Sequence, residues 1–382
     1  MSGGLSCGAG AGAGAGAGLV SWKAVERACA RATTRGAIKP IRTKPKHITV
    51  PIPIQQQNNT EDEDSHNPIT TRTSTSTSTT SRKVAKGEVV TFILRIAEQL
   101  RHKPKPKQTK PAPAPAGGSG SGSGSGGFHD PFNKKNLERD LLVQELSASH
   151  TLLLNKFNVV DYHLLLITRE YQSQDDPVNT SDFWHLFQVF SCFPSNVPPL
   201  AFYNCGPHSG KSQPHKHVQI VPMPLVDAQE KDQGEGMPEA TATRQQFTLE
   251  AVIRDTLSKE GNDVPGKLCV VDGLPFEAFL LPLTEEMKES EDRLKVLEGQ
   301  FLRAKEAVMK KHNIEDEVFS YNLVITQEWL LIVPRSKESY GPIGINAMGF
   351  AGTFLVRTEE ELDFVLRQSS PFDILTDVCY MK

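Results

Sequence analysis

The segment FYNCGPHSGKSQPHKHVQIVPMP, residues 202–224, gathers more reactive side chains than any other part of the chain. A strand over 215–221 would alternate its side chains, placing His215, His217 and Gln219 on one face and Lys216, Val218 and Ile220 on the other. Just upstream, Gly206-Pro207 and Ser209-Gly210-Lys211-Ser212-Gln213 make a turn of small residues. Such a turn can aim backbone N–H groups, hydroxyls and one ammonium at an anion. A nucleophile beside an anion cradle is what phosphoryl or nucleotidyl transfer needs. An imidazole with an ordinary pKa of about 6.5 is available at physiological pH and attacks phosphorus to give a reactive phosphoramidate. Two other readings stand beside this one. His-x-His on a strand is also a chelating pair for zinc, with His208 as a third ligand, and two histidines can simply be packed or solvated. Gln219 weighs against a closed metal site, because an amide is a poor zinc ligand but a good donor to a phosphate oxygen.

The elements that must position these residues are short apolar runs bounded by turn residues: 150–155, 162–168, 200–204, 217–222, 276–282, 320–326 and 328–334. A further β-branched run falls within 87–100. Helices are expected within 19–38, ending at Gly36, and over 181–190, 248–260, 285–311 and 359–367, the last opened by a capping box from Thr358 to Glu361. Strands in groups with segregated helices read as α+β, an antiparallel sheet with packed helices. No Gly-x-Gly-x-x-Gly occurs, and Gly210-Lys211-Ser212 is not a P-loop, because Cys205 occupies the position of its first glycine.

Three low-complexity tracts interrupt the 382 residues: Gly-Ala at 8–18, polar at 55–82, and Lys-Pro then Gly-Ser at 103–127. They hold too little apolar surface to offset the entropy of ordering. The organisation expected is a Gly-Ala tail over 1–18, an amino-terminal part of the catalytic domain over 19–54 and a disordered insertion over 55–82. A strand of that domain over 83–104, a disordered linker over 105–127 and the main catalytic domain over 128–382 follow. A net charge of −3 is too weak a field to select nucleic acid or a membrane surface. No run is long and apolar enough to span a bilayer, the start lacks the regions of a signal peptide, and six cysteines without a Cys-x-x-Cys pair suit a reducing compartment. A cytoplasmic protein is expected, its oligomeric state open and compatible with a monomer.

YNCGPHSGKSQPHKHVQ resembles the signature of the ATP adenylyltransferases, or diadenosine tetraphosphate phosphorylases, of the histidine-triad superfamily, where the third triad histidine is replaced by glutamine, as at Gln219. LLLNKFNVVDYHLLLIT (152–168), SYNLVITQEWLLIVPRSK (320–337) and INAMGFAGTFLVR (345–357) look like family segments in family order, and RGAIKPI (35–41) with FILRIAEQLRHKP (92–104) looks like the amino-terminal part.

The resemblance implies a histidine-triad-like fold and two displacements. Histidine takes AMP from the dinucleoside tetraphosphate and releases ATP, and phosphate then takes the AMP as ADP. It implies His217 as nucleophile, His215 as its orienting partner and Gln219 on the α-phosphate oxygens. Asn204, Gly210, Lys211, Ser212 and Gln213 fall where the family binds phosphates, and Asn155-Lys156 matches its Asn-Lys pair. Lys103 aligns with a lysine that contacts nucleotide, and Asn346, Ala347, Met348, Thr353 and Arg357 with a carboxy-terminal nucleotide-binding group. Threonine at 353 and arginine at 357 stand where methionine and lysine are usual, and Lys211 where a small residue is usual. The partners implied are nucleotides and phosphate, with no tightly bound cofactor and Mg²⁺ at most accompanying the nucleotide. A plain hydrolase giving the nucleotide to water, and a non-catalytic nucleotide- or zinc-binding protein, are the alternatives.

Overall fold

The apolar runs become the interior of one large sheet. The computed structural model describes residues 19–41, 43–52, 89–97, 130–225, 247–259, 261–315 and 318–382. The Gly-Ala tail, the insertion at 55–82, the linker at 105–127 and Lys103 lie outside the described residues.

The strands are β1 (Lys44–Pro51), β2 (Val89–Ile96), β3 (Leu142–Glu145), β4 (His150–Leu154), β5 (Leu164–Thr168), β6 (Pro199–Cys205), β7 (His217–Pro222), β8 (Cys269–Val270), β9 (Phe279–Pro282), β10 (Tyr321–Ile325), β11 (Trp329–Pro334), β12 (Ser339–Tyr340), β13 (Ile343–Gly344) and β14 (Thr353–Val356). The helices are α1 (Trp22–Thr34), α2 (Thr180–Phe190), α3 (Glu250–Ser258), α4 (Glu285–Lys288), α5 (Glu291–Lys311), α6 (Ala347–Phe350), α7 (Glu359–Leu366) and α8 (Pro371–Asp377). Local chemistry starts several of them. Asn179 and Asp182 form a capping box on α2. Ser290 caps α5 through Arg293 N–H, which divides the single helix expected over 285–311 in two. Thr358 accepts from Glu361 N–H, but the Glu361 carboxylate returns to Arg357 N–H at 2.6 Å, one residue short of the expected box.

The main sheet is antiparallel throughout, in the order β3-β4-β5-β7-β6-β10-β11-β9-β8. Every residue of β4, β5, β6, β10 and β11 is buried, so these strands read as unbroken apolar runs rather than alternating ones. One face, with Val218, Ile220, Leu166 and Tyr203, joins the core made with α1, α2 and α5. The other face is divided. Phe202, Val324 and Val333 belong to the core shared with the three-stranded sheet β1-β2-β14 and with α3 and α6–α8, while Leu153, Leu165 and Ile167 pack on Phe132 and Leu137. Gln219 lies opposite Leu165 on one side and Phe202 on the other, and His217 opposite Ile167. The central strand therefore presents His217 and Gln219 on the face where two cores meet. The architecture is α+β, as its sequence pattern predicts.

Candidate active site

His217 is set by three hydrogen bonds. Its Nδ1–H donates to the carbonyl oxygen of His215 at 2.8 Å. A proton on Nδ1 leaves the Nε2 lone pair for an electrophile. Its backbone N–H donates to Gln174 Oε1 at 2.7 Å, and Gln174 Nε2 donates to the carbonyls of Asn204 (3.0 Å) and His217 (3.2 Å). The β6–β7 ladder ends at Phe202 opposite Gln219, so the buried Gln174 amide takes over where the two strands part. Phe132 packs on the rings of both His217 and His215, at 5.4 and 5.7 Å between centroids.

His215 differs from expectation in place. The strand begins at His217, and His215 sits before it in a bridge with Ser173. Its Nδ1 is 2.7 Å from Asp130 Oδ2 and its Nε2 2.9 Å from the Thr168 carbonyl. With both nitrogens engaged it has no lone pair to give to phosphorus, nor one to give to a metal shared with His217 or His208. His208 is exposed, and its backbone N–H donates to Ser320 Oγ.

Gln219 is half-buried, its Oε1 accepting from His163 Nε2 at 3.1 Å. Asn155, just past β4, donates its backbone N–H to the His163 carbonyl at 2.8 Å. Lys156 is ion-paired with Glu138 at 2.6 Å, and its carbonyl accepts from Lys39, which brings the 35–41 segment against this turn.

The loop 206–213 closes the other side. Gly206 (φ +86°) has its Cα where a side chain would strike the Ser320 backbone, and Gly210 (φ +73°) would strike the Ile345 carbonyl, so only glycine lets the loop lie so close. Lys211 is ion-paired with Asp175, whose Oδ1 also accepts from Gly206 N–H; Ser212 and Gln213 are half-buried. Asn204 Oδ1 accepts from Asn322 Nδ2 (2.8 Å) and from Ala347 N–H (2.9 Å). Its oxygen thus holds the 346–348 turn. Asn346 caps that turn, its Oδ1 accepting from Met348 N–H at 3.0 Å. Behind it the buried Arg335 donates to Asn322 Oδ1 and to the carbonyls of Ile345, Lys337 and Val378. Burial brings its guanidinium down to about 10, still charged at neutral pH. Thr353 is buried on β14, its hydroxyl without a partner among the described residues, and Arg357 is exposed just beyond.

The structure thus joins Asn155, Gln219, His217, Asn204, Gly210 and Asn346–Met348 through side-chain and backbone contacts, and carries Thr353 on the separate three-stranded sheet and Arg357 just past its end. Sequence reasoning missed Asp130, His163, Thr168, Gln174, Asn322 and Arg335. Among the described residues no group of three or more His, Cys, Asp or Glu side chains is arranged around a metal position. A cavity of about 500 Å³ lined by Ser149, Ser181, Trp184 and His185 contains none of these site residues.

Known proteins give the same reading. Residues 63–233 match the family model of the Ap4A phosphorylase N-terminal domain, and residues 272–381 that of the ATP adenylyltransferase C-terminal domain. The chain is 33% identical over 251 residues to diadenosine 5',5'''-P1,P4-tetraphosphate phosphorylase 2 of Saccharomyces cerevisiae, spanning 61% of this chain and 70% of that protein. It is 32% identical over 242 residues to Protein APA1 of the same yeast, spanning 60% and 70%. The crystal structure of yeast Ap4A phosphorylase Apa2 aligns with a TM-score of 0.62 at 22% identity, covering 95% of this chain and 96% of that one. The same protein in complex with Ap4A aligns at 0.59 and 21%, covering 95% and 99%. At that identity the structural likeness shows the fold. The resemblance read from the motif segments is borne out.

Proposed function

This chain belongs to the Ap4A phosphorylase family, and on that premise we propose that it cleaves diadenosine tetraphosphate with phosphate, reversibly, to ATP and ADP through an adenylyl-His217 intermediate. The observation that carries the chemistry is the tautomer: Nδ1–H is held by the His215 carbonyl, so Nε2 is the nucleophile.

Nε2 attacks one α-phosphorus, the P–N bond forms as the bond to the bridging oxygen breaks, and ATP departs. The imidazole keeps its Nδ1 proton and becomes cationic, its charge facing the His215 carbonyl dipole. Phosphate then attacks the same phosphorus, the P–N bond breaks, and ADP leaves with neutral His217 restored. Gln219 donates to the α-phosphate oxygens as their charge grows, and the loop 206–213 with Lys211, Ser212 and Gln213 lines the remaining phosphates. Water is the competing acceptor, and two features disfavour it: His217 is only 3% exposed, and Gln219, unlike an imidazole, has no basic nitrogen to take a proton from an attacking water.

Mg²⁺ enters with the polyphosphate as part of the substrate. The described cysteines are all free, supporting a cytoplasmic setting, and among the described residues no helix is long and apolar enough to cross a membrane. The test is incubation with diadenosine tetraphosphate with and without phosphate. ATP plus ADP, dependent on phosphate, is expected; ATP plus AMP at saturating phosphate makes the protein a hydrolase and overturns the proposal.

A further inference from the structure

The two ends of the Gln219 amide have the same shape and opposite hydrogen-bonding sense, so catalysis depends on which end meets the phosphate. The oxygen would repel the charge that the NH₂ group stabilises. The neighbour that decides is His163, the buried residue before β5. Its Nε2 lies 3.1 Å from Gln219 Oε1. An amide oxygen only accepts, so Nε2 must carry the proton.

Asn155 supplies a donor that suits that tautomer. Asn155 Oδ1 accepts from Phe157 N–H at 3.1 Å, which turns its Nδ2 toward the imidazole, 3.3 Å from Nδ1 and 3.4 Å from Nε2. With Nε2 protonated, Nδ1 is the nitrogen that accepts. The ring also packs against Phe202, at 5.9 Å between centroids, which limits its turning.

We infer that His163 is a positioning residue that holds the Gln219 amide with its NH₂ group toward the α-phosphate. The direction of donation runs from a backbone group to the reacting atoms: Phe157 N–H sets Asn155, Asn155 presents its NH₂ group to the ring of His163, and His163 donates Nε2–H to Gln219. Asn155 thereby acts through the ring rather than only as a substrate contact. The inference rests on the reading of Gln219 as a phosphate donor.

The test compares His163→Phe, which keeps ring and burial but removes the donor, with His163→Gln, which restores an N–H at nearly the same place. Both are measured alone and in a Gln219→Ala background, with melting temperatures recorded. His163→Phe should lower kcat about tenfold or more with KM within about threefold, because the amide acts on charge that develops only in the transition state. His163→Gln should recover most of the rate, and His163→Phe should add no more than about twofold to Gln219→Ala. Effects that multiply in the double variant, or a loss that follows only melting temperature, overturn the inference. A second measurement needs no turnover: long-range ¹H–¹⁵N spectra of histidine-labelled protein should show His163 as the Nε2–H tautomer, and an Nδ1–H tautomer overturns it. Wild-type product formation in the same assay separates the two readings. Absence of ATP and ADP from the wild type defeats the proposed reaction, while the spectrum still decides His163.

Discussion

On the helix-covered side of the central strand, Lys216 Nζ lies 2.6 Å from Asp182 Oδ2 and 2.7 Å from the Pro177 carbonyl, and Asp182 Oδ1 accepts from His150 Nε2 at 2.9 Å. His150 in turn stacks on His185 at 4.3 Å. One residue along the chain and on the opposite side, His217 and Gln219 are also buried or half-buried and also held by neighbours, but each is held from behind. The His217 ring donates Nδ1–H to the strand, which makes Nε2 the nitrogen with the lone pair, and the Gln219 amide turns its oxygen to His163. The first cluster satisfies its charges internally and anchors the strand to α2, whereas the second uses the same kind of bonds to set the tautomer of His217 and the direction of the Gln219 amide. Alternation along a strand lets two adjacent residues serve stability and chemistry separately.

If that division is right, substitutions on the two sides should fail in different assays. His217→Ala should lower turnover by about 10⁴-fold or more and abolish adenylyl labelling, with nucleotide affinity within about tenfold and little change in melting temperature. Isotopic labelling and calorimetry check both halves; residual labelling would move the nucleophile elsewhere. Asp182→Asn should do the reverse, costing about 3–5 kcal/mol in denaturant unfolding because Lys216 is left as an uncompensated buried charge, while folded protein still forms the intermediate. Replacing Lys216 and Asp182 together by Met and Leu should cost less than the single change. Burial raises the Asp182 carboxyl, but the hydrogen bond from His150 and the charge of Lys216 outweigh it and leave it below the ordinary carboxylate range. Its contribution to stability is therefore complete above the unfolded value of about 4 and is lost as pH falls through the lower folded one. Acid titration of the melting temperature should be flatter in Asp182→Asn than in wild type over that window. Gln219→His, the mildest of the three, should raise the AMP:ADP ratio at fixed phosphate and slow turnover about tenfold, because an imidazole can take a proton from an attacking water and an amide cannot. An unchanged ratio would assign acceptor choice to the loop at 209–213.

Much of the fold is legible in the sequence because the sheet is covered on both faces, which turns β4, β5, β6, β10 and β11 into compact apolar runs. The strand β1 was not legible: KPKHITVP begins and ends near prolines and carries lysines, and its identity comes from pairing with β2. In the site, His217 and Gln219 could be read from their spacing, because two residues apart on a strand means one face. The residues that aim them could not. Asp130, His163 and Gln174 come from turns or from the ends of strands, and they reach their partners across 85, 56 and 43 residues of chain. Side chains there follow no period, so nothing local marks them. Asn204 shows the limit of a motif in another way: its place in the sequence suggests a phosphate ligand, and nothing there tells that its oxygen also holds Asn322 and Ala347.

The central claim is that AMP passes through Nε2 of His217, and trapping the intermediate tests it most directly. Wild-type protein mixed with diadenosine tetraphosphate in the absence of phosphate, quenched in base and digested, should yield a peptide containing His217 with one adenylyl group attached through an acid-labile, base-stable bond. Adding phosphate before the quench should discharge that group as ADP at a rate no slower than turnover. A group found on another residue, or one that phosphate fails to discharge, would contradict the account.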